Sequence, residues 1–219
     1  MTKALVTGAN RGIGLEMCRQ LLARGDEVIA VCRHPGDALK MLDLRIIDGV
    51  DVSSDESVGL LKEQLGGEKL DWLINNAGIL SVESLDSLDF AAMERQFRVN
   101  ALGPLRVTTA LASNLFAGSK VGIVTSRMGS IDDNTSGGYY GYRMSKAAVN
   151  MAGASLAQDL RDRAIAVALL HPGYVATDMT GSKGVPVGQA AGGLIQRMDE
   201  LELATSGGFW HAEGERLPW

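Results

Sequence analysis

The stretch Lys3-Ala4-Leu5-Val6-Thr7-Gly8-Ala9-Asn10-Arg11-Gly12-Ile13-Gly14 runs from an apolar strand pattern, through a glycine-rich turn, into a helical pattern over 12–24. Glycine lacks a Cβ, so the chain can turn tightly and bring backbone N–H groups close to a ligand. The helix that follows aims its positive end and its unpaired N–H groups at the same point. Strand, glycine turn and helix in this order predict a pyrophosphate site for a dinucleotide, formed by Gly8, Asn10, Arg11, Gly12, Ile13 and Gly14.

Outward from that turn, short apolar runs alternate with helical-period segments. Strands are expected at 3–7, 27–31, 45–50, 70–74, 120–125 and 165–170, with a further edge strand at 207–210. Helices are expected at 12–24, 54–65, 90–116, 140–161 and 187–203. This alternation predicts an α/β fold: a Rossmann-type, doubly wound, mostly parallel seven-stranded sheet with helices on both faces. No linker, repeat or long charge run divides the 219 residues, so one domain over 1–219 is expected. Ligands in such sheets sit beyond the carboxyl ends of the strands. The glycine- and proline-bearing loop 173–186 is therefore a candidate flap over substrate.

Composition narrows the partners. The formal net charge of -5 argues against a nucleic-acid or anionic-membrane surface. No apolar stretch approaches the roughly 20 residues needed to span a bilayer. The chain enters a strand at once, so no signal peptide and a cytoplasmic location are expected. Cys18 and Cys32 show no CxxC spacing, and His34, His171 and His211 are scattered; buried reduced thiols and no metal site are expected.

The end of the second strand bears on the cofactor. NAD sites usually place an acid about 20 residues after the glycines, to bond the ribose 2′-hydroxyl. This chain has Val31-Cys32-Arg33-His34 there. Arg33 can pair with a 2′-phosphate, with Arg11 approaching from the other side, so NADP(H) is the expected cofactor. Asp51 and Val52 follow the third strand and are placed to reach the adenine edge, although Asp51 equally suits a cap before Ser54.

Tyr142-Arg143-Met144-Ser145-Lys146 opens a long helical segment, and residues at i and i+4 share a helix face. A free tyrosine titrates at about 10. Lowering that by about 3 units requires about 4 kcal/mol, roughly what one ammonium about 4 Å away supplies at an effective dielectric near 20. Tyr142 is thus expected as a general acid/base tuned downward by Lys146. Ser126 follows the fifth strand, where a hydroxyl can polarise a reacting carbonyl. Asn75-Asn76-Ala77-Gly78 follows the fourth strand. Asn100 lies ahead of Gly103-Pro104, where a proline predicts a local kink.

The ordered series TGANRGIG at 7–14, NNAG at 75–78, Asn100, Ser126, YRMSK at 142–146 and PGYVAT at 172–177 resembles the short-chain dehydrogenase/reductase family along nearly its whole length. GGYYGYRMSKAAVN and the closing LPW are similar to the small carbonyl-reductase branch that includes sniffer and C-factor proteins. The resemblance implies Tyr142 as proton donor in reduction, Lys146 on the nicotinamide ribose and Ser126 on the carbonyl. It also implies Asn100 holding a water that links Lys146 to solvent, and Asn76, Ala77 and Gly78 along the adenine ribose. Pro172, Gly173, Val175 and Thr177 would contact the nicotinamide. The family usually places its serine closer to the tyrosine, and Ser130 fits that spacing better. Ser126 is preferred because it follows the strand directly and has Gly129 three residues on. The expected activity is NADPH-dependent reduction of an aldehyde or ketone by a homodimer or homotetramer assembled through the helices near 101–116 and 142–160. The alternative is a dinucleotide-binding signalling or sensor protein with little turnover.

Overall fold

The computed structural model describes residues 1–219 and contains seven strands: β1 (Lys3–Thr7), β2 (Glu27–Val31), β3 (Arg45–Ile47), β4 (Leu70–Asn75), β5 (Leu115–Val124), β6 (Ala166–His171) and β7 (Gly208–His211). They form one sheet in the order β3-β2-β1-β4-β5-β6-β7, and every neighbouring pair is parallel. The sheet is the doubly wound one expected, with no antiparallel member. Its helices are α1 (Gly12–Ala23), α2 (Asp37–Lys40), α3 (Asp55–Leu65), α4 (Phe90–Phe97), α5 (Gly103–Ala110), α6 (Tyr140–Asp159) and α7 (Val187–Glu200).

Alternate side chains of a strand face opposite sides of the sheet, and two separate cores result. Val6, Ala30 and Ile74 pack with Met17 and Leu21 of α1 and with Leu194 of α7. Leu5, Ile29 and Leu73 face the other way, against Leu61 of α3, Val107 of α5 and Val149 of α6. After β3 the chain crosses back over β1 to lay down β4. The strand order reverses between β1 and β4, which opens a crevice at their carboxyl ends.

Three expectations about elements are corrected. The helix predicted over 90–116 is three pieces: α4, a π-helical turn at Arg98–Leu102, and α5. Pro104 has no N–H to offer the carbonyl of Asn100 four residues back, and the ladder widens there. The fifth strand starts at Leu115 rather than 120, pairing first with Leu70 and, after an irregularity, running from Trp72↔Lys120. The polar run Gly118-Ser119-Lys120 masks that strand's apolar periodicity. The third strand stops at Ile47, short of Val50.

Candidate active site

Gly8 sits at φ 66°, in the left-handed region, and a Cβ there would lie 2.8 Å from the Ala77 Cα. A Cβ on Gly14 would collide with the Gly8 carbonyl oxygen and the Asn76 amide. Turn, α1 and the end of β4 therefore approach one another as only glycine permits. Thr7 Oγ1 accepts from the N–H groups of Asn76 (3.0 Å) and Ala77 (3.2 Å), and Asn76 Nδ2 donates to the carbonyls of Thr7 (3.0 Å) and Gly8 (3.2 Å). The Asn76 side chain thus braces the glycine turn from behind. Arg11, the residue preceding α1, makes no capping bond with its side chain, so the first-turn N–H groups have no side-chain acceptor. The chemistry of this cradle suits a diphosphate.

Gly8, Asn10, Arg11, Gly12, Ile13, Arg33, Asp51, Val52, Asn76, Ala77 and Gly78 line one cleft of about 1190 Å³, together with Ser126, Tyr142, Lys146, Pro172, Gly173, Val175 and Thr177. That volume exceeds what a drug-sized ligand needs, leaving room for a dinucleotide and a small substrate. Gly14 and Asn100 lie behind the lining residues rather than among them. Asp51 accepts from the N–H and hydroxyl of Ser53 (2.8 and 2.7 Å). Those bonds, chiefly the Ser53 hydroxyl's, hold its carboxyl below the ordinary range, with Arg33 and Arg106 adding to the effect. The cap of α3 is Ser54, which accepts from Ser57 N. Arg33 is exposed at the end of β2. Arg11 does not join it: its Nη1 pairs with Asp178 Oδ2 of the 173–186 loop at 2.8 Å.

Tyr142 and Lys146 meet as their spacing requires. The Lys146 ammonium lies 5.6 Å from the Tyr142 ring centroid and donates to the Val124 carbonyl at 2.9 Å. The electrostatics differ from expectation. Burial pushes the Tyr142 phenol up to about 12, with the Ser126 hydroxyl pulling the other way, and burial pushes Lys146 down to about 8. Desolvation by burial sets both shifts, and the ammonium is spent on a carbonyl rather than on the phenol oxygen.

The Ser126 hydroxyl is near enough to Tyr142 to pull its phenol's pKa down and accepts from Met128 N at 3.1 Å, whereas Ser130 donates to the Trp219 backbone oxygen at 3.0 Å. Asn100 Oδ1 accepts from Ile79 N at 2.8 Å, and its Nδ2 donates to Ile79 O (2.8 Å) and Ser145 Oγ (3.0 Å). That side chain is committed to holding the segment after β4 against α6, so any contact with water falls to its backbone. The loop from Gly173 has more internal structure than a bare flap: Val175 bridges Val185, and Thr180 Oγ1 donates to the carbonyls of Val175 and Lys183.

His171, at the end of β6, also lines the cleft, with Nδ1 buried and without a partner. Burial, then His211, Arg127 and Lys146, push its pKa down to about 3. A group depressed from 6.5 to about 3 stabilises the fold fully above about pH 6.5, and that stability drains away as pH falls toward 3. Urea unfolding of the wild type should accordingly lose about 2 kcal/mol between pH 6.5 and 5 from this group, and His171→Asn should abolish that part of the slope. An unchanged slope in the variant would assign the acid sensitivity elsewhere.

With the geometry in view, a family model described as short chain dehydrogenase matches residues 2–186. The chain belongs to the short chain dehydrogenase family. Among curated relatives, a 1-hydroxy-2-glutathionyl-2-methyl-3-butene dehydrogenase of Rhodococcus sp. (strain AD45) is 46% identical over 226 residues, spanning 100% of both chains. The C-signal protein of Myxococcus xanthus is 47% identical over 154 residues, 68% of this chain and 93% of its own. Among solved structures, an NADPH-bound carbonyl reductase from chicken fatty liver superposes with TM-score 0.91 at 32% identity, covering 100% of this chain and 99% of that one. The carbonyl reductase Sniffer of D. melanogaster gives 0.92 at 29% identity, with 100% of both covered. The protein is an oxidoreductase of this family, in the branch its motifs resemble. No helix is long and apolar enough to cross a membrane.

Proposed function

We propose that this chain is an NADPH-dependent reductase of aldehydes or ketones, with Tyr142 as the acid that protonates the carbonyl oxygen. The observation that carries this is the convergence of Ser126, Tyr142 and Lys146 in the same cleft as the glycine turn. When bound, the nicotinamide supplies the hydride. The chain's residues do the rest. Ser126 orients the carbonyl by hydrogen bonding to its oxygen and polarises it. Tyr142, whose phenol burial holds protonated, gives up its proton as negative charge builds on that oxygen. Lys146, fixed by the Val124 carbonyl with its ammonium 5.6 Å from the Tyr142 ring centroid, recovers part of the phenolate's desolvation penalty through Coulomb attraction. Gly8 to Gly14 hold the diphosphate, and Arg33 the 2′-phosphate; Arg11, paired with Asp178, tethers the 173–186 loop instead.

Two relatives bear on substrate and role. A relative named for a glutathionyl alcohol points to substrates that carry carboxylates. Arg95, Arg98 and Arg143 line the cleft, and Arg143 is held only by neutral acceptors, Gly138 O, Met128 O and Ser136 Oγ. A glutathione conjugate therefore belongs beside plain aldehydes and ketones in the substrate panel. The C-signal relative supports a second reading, binding without turnover, which the same panel tests. Self-association would use Leu105 of α5 and Met144 and Met151 of α6, all exposed, and light scattering decides it.

The cofactor assignment has its own test. Arg33→Ala should raise the KM for NADPH by about 10- to 100-fold, the worth of one charge-assisted bond pair, and leave NADH nearly unchanged. An unaltered NADPH-to-NADH preference would remove Arg33 from the 2′-phosphate.

A further inference from the structure

The wall of the cleft beside Ser126 is built from a stretch that cannot hold itself. Between Gly129 and Tyr140 there is no helix or strand. The run Ser130-Ile131-Asp132-Asp133-Asn134-Thr135-Ser136-Gly137-Gly138 has a single apolar side chain, and that one, Ile131, is exposed. Such a run buries too little apolar surface to offset its own ordering. Yet Met128, Asp133, Ser136 and Tyr139 line the cleft. They do so at the substrate end: β1 and β4 separate β5, which leads into this wall, from β2 and Arg33.

The wall is held from two sides. On the α6 side, a Cβ on Gly129 would lie 2.7 Å from the Lys146 carbonyl carbon, and Arg143 donates to Met128 O, Gly138 O and Ser136 Oγ. Ser130 to Asp133 are held instead by the closing segment of the chain. The Trp219 main-chain oxygen gathers three donors, Ser130 Oγ, Ile131 N and Asp132 N, each at 3.0 Å. Ser130 Oγ in turn accepts from Asp133 N at 3.1 Å. Trp219 is itself fixed, its ring stacked on that of Phe209 with centroids 5.6 Å apart and planes at 23°. Phe209, on β7, is fully buried. Leu217 N donates to Phe209 O and His211 N to Glu215 O, both at 2.8 Å, so the closing segment returns along β7. Arg127 adds a further link, pairing with Asp133 (3.2 Å) and Glu215 (2.9 Å). That link is solvated and weak, which leaves most of the hold to Trp219.

We infer that Trp219 is a positioning residue for the carbonyl substrate: its main-chain oxygen, aimed by the stack of its ring on Phe209, holds the 128–139 wall of the cleft in place. The inference rests on the reductase reading for what the wall receives. Stacking fixes the plane of the indole and with it the backbone alongside. A wall already ordered takes nothing from substrate binding, whereas a loose one subtracts the cost of its ordering. NADPH is insulated from that cost, because the glycine turn and Arg33 lie beyond other strands.

The test compares Trp219→Ala, which keeps the oxygen but removes the stack that aims it, with Trp219→Phe, which keeps a stack. Amide hydrogen exchange reads the hold directly at Ile131 and Asp132, whose N–H groups end on that oxygen. In Trp219→Ala both should exchange about 10-fold faster while the amides of β1 are unchanged, the mark of local opening in an intact fold. In turnover, Trp219→Ala should raise the KM for the carbonyl substrate about 10-fold, the worth of one aromatic pair, and leave the KM for NADPH within about twofold. Trp219→Phe should restore both readouts to near wild type. The inference is overturned by unchanged exchange at Ile131 and Asp132, by acceleration that spreads to β1, or by a carbonyl KM that stays put. Equal effects in Trp219→Phe, or a KM for NADPH that rises in step, overturn it as well. Exchange needs no turnover, so a chain that reduces no carbonyl would sink the proposed reaction while the hold of Trp219 on the wall is still decided.

Discussion

Tyr142→Phe will lower kcat for carbonyl reduction by about a thousandfold, within the range that one positioned acid contributes. The change removes a single oxygen. The ring remains, only 9% exposed in wild type, so packing around α6 is kept. Lys146 retains its bond to the Val124 carbonyl, which does not involve the phenol. NADPH binding, followed by the fluorescence of the reduced nicotinamide, should therefore stay within a factor of about two, the mark of a group that acts in the transition state alone. Turnover within tenfold of wild type would mean that the proton comes from elsewhere, Ser126 or solvent, and the proposed chemistry would have to be abandoned.

Gly14→Ala should be nearly as damaging, by a different route. The new Cβ would meet the Gly8 carbonyl oxygen and the Asn76 amide, and the first of these is backbone that cannot swing aside. The turn must open, which separates the α1 N–H groups from the diphosphate they are placed to hold. A loss of about 2 kcal/mol in unfolding free energy is expected from the overpacking. NADPH affinity should weaken about 100-fold, corresponding to two charge-assisted bonds misaligned. Gly59→Ala is the matching control. It lies inside α3 with nothing within 4 Å of an added Cβ, and it should stabilise the protein by about 0.5–1 kcal/mol. Equal NADPH affinity in wild type and Gly14→Ala would show that the cradle tolerates the wider turn and is not the phosphate site.

The elements that the sequence marked well are those whose signal is local. A buried parallel strand is a short apolar run, and β1, β2, β4 and β6 fell where such runs lie. The glycine turn and the Tyr142–Lys146 spacing are also local, since the first depends on a missing Cβ and the second on the helical repeat. The segment 90–116 misled because its composition is helical throughout, while its geometry is set by one absent N–H at Pro104 and by β5 capturing Leu115 and Phe116. Spacing to Tyr142 favoured Ser130, while the place directly after the strand favoured Ser126. Folding separated them, because one hydroxyl faces Tyr142 and the other is taken by the Trp219 backbone.

What the sequence determined by itself is the order of the sheet's building blocks and the kinds of group brought to its carboxyl edge, because both follow from hydrophobic periodicity and residue chemistry read along the chain. What only the tertiary structure decided is the electrical state of those groups and their supports. Tyr142 is pushed up rather than down because burial outweighs the Ser126 hydroxyl, while the Lys146 ammonium is aimed at a carbonyl. Arg11 turns to Asp178, and Glu83 reaches Gly141 across 58 residues. Solvation and long-range hydrogen bonds depend on which surfaces fold against one another, and no spacing along the chain encodes that.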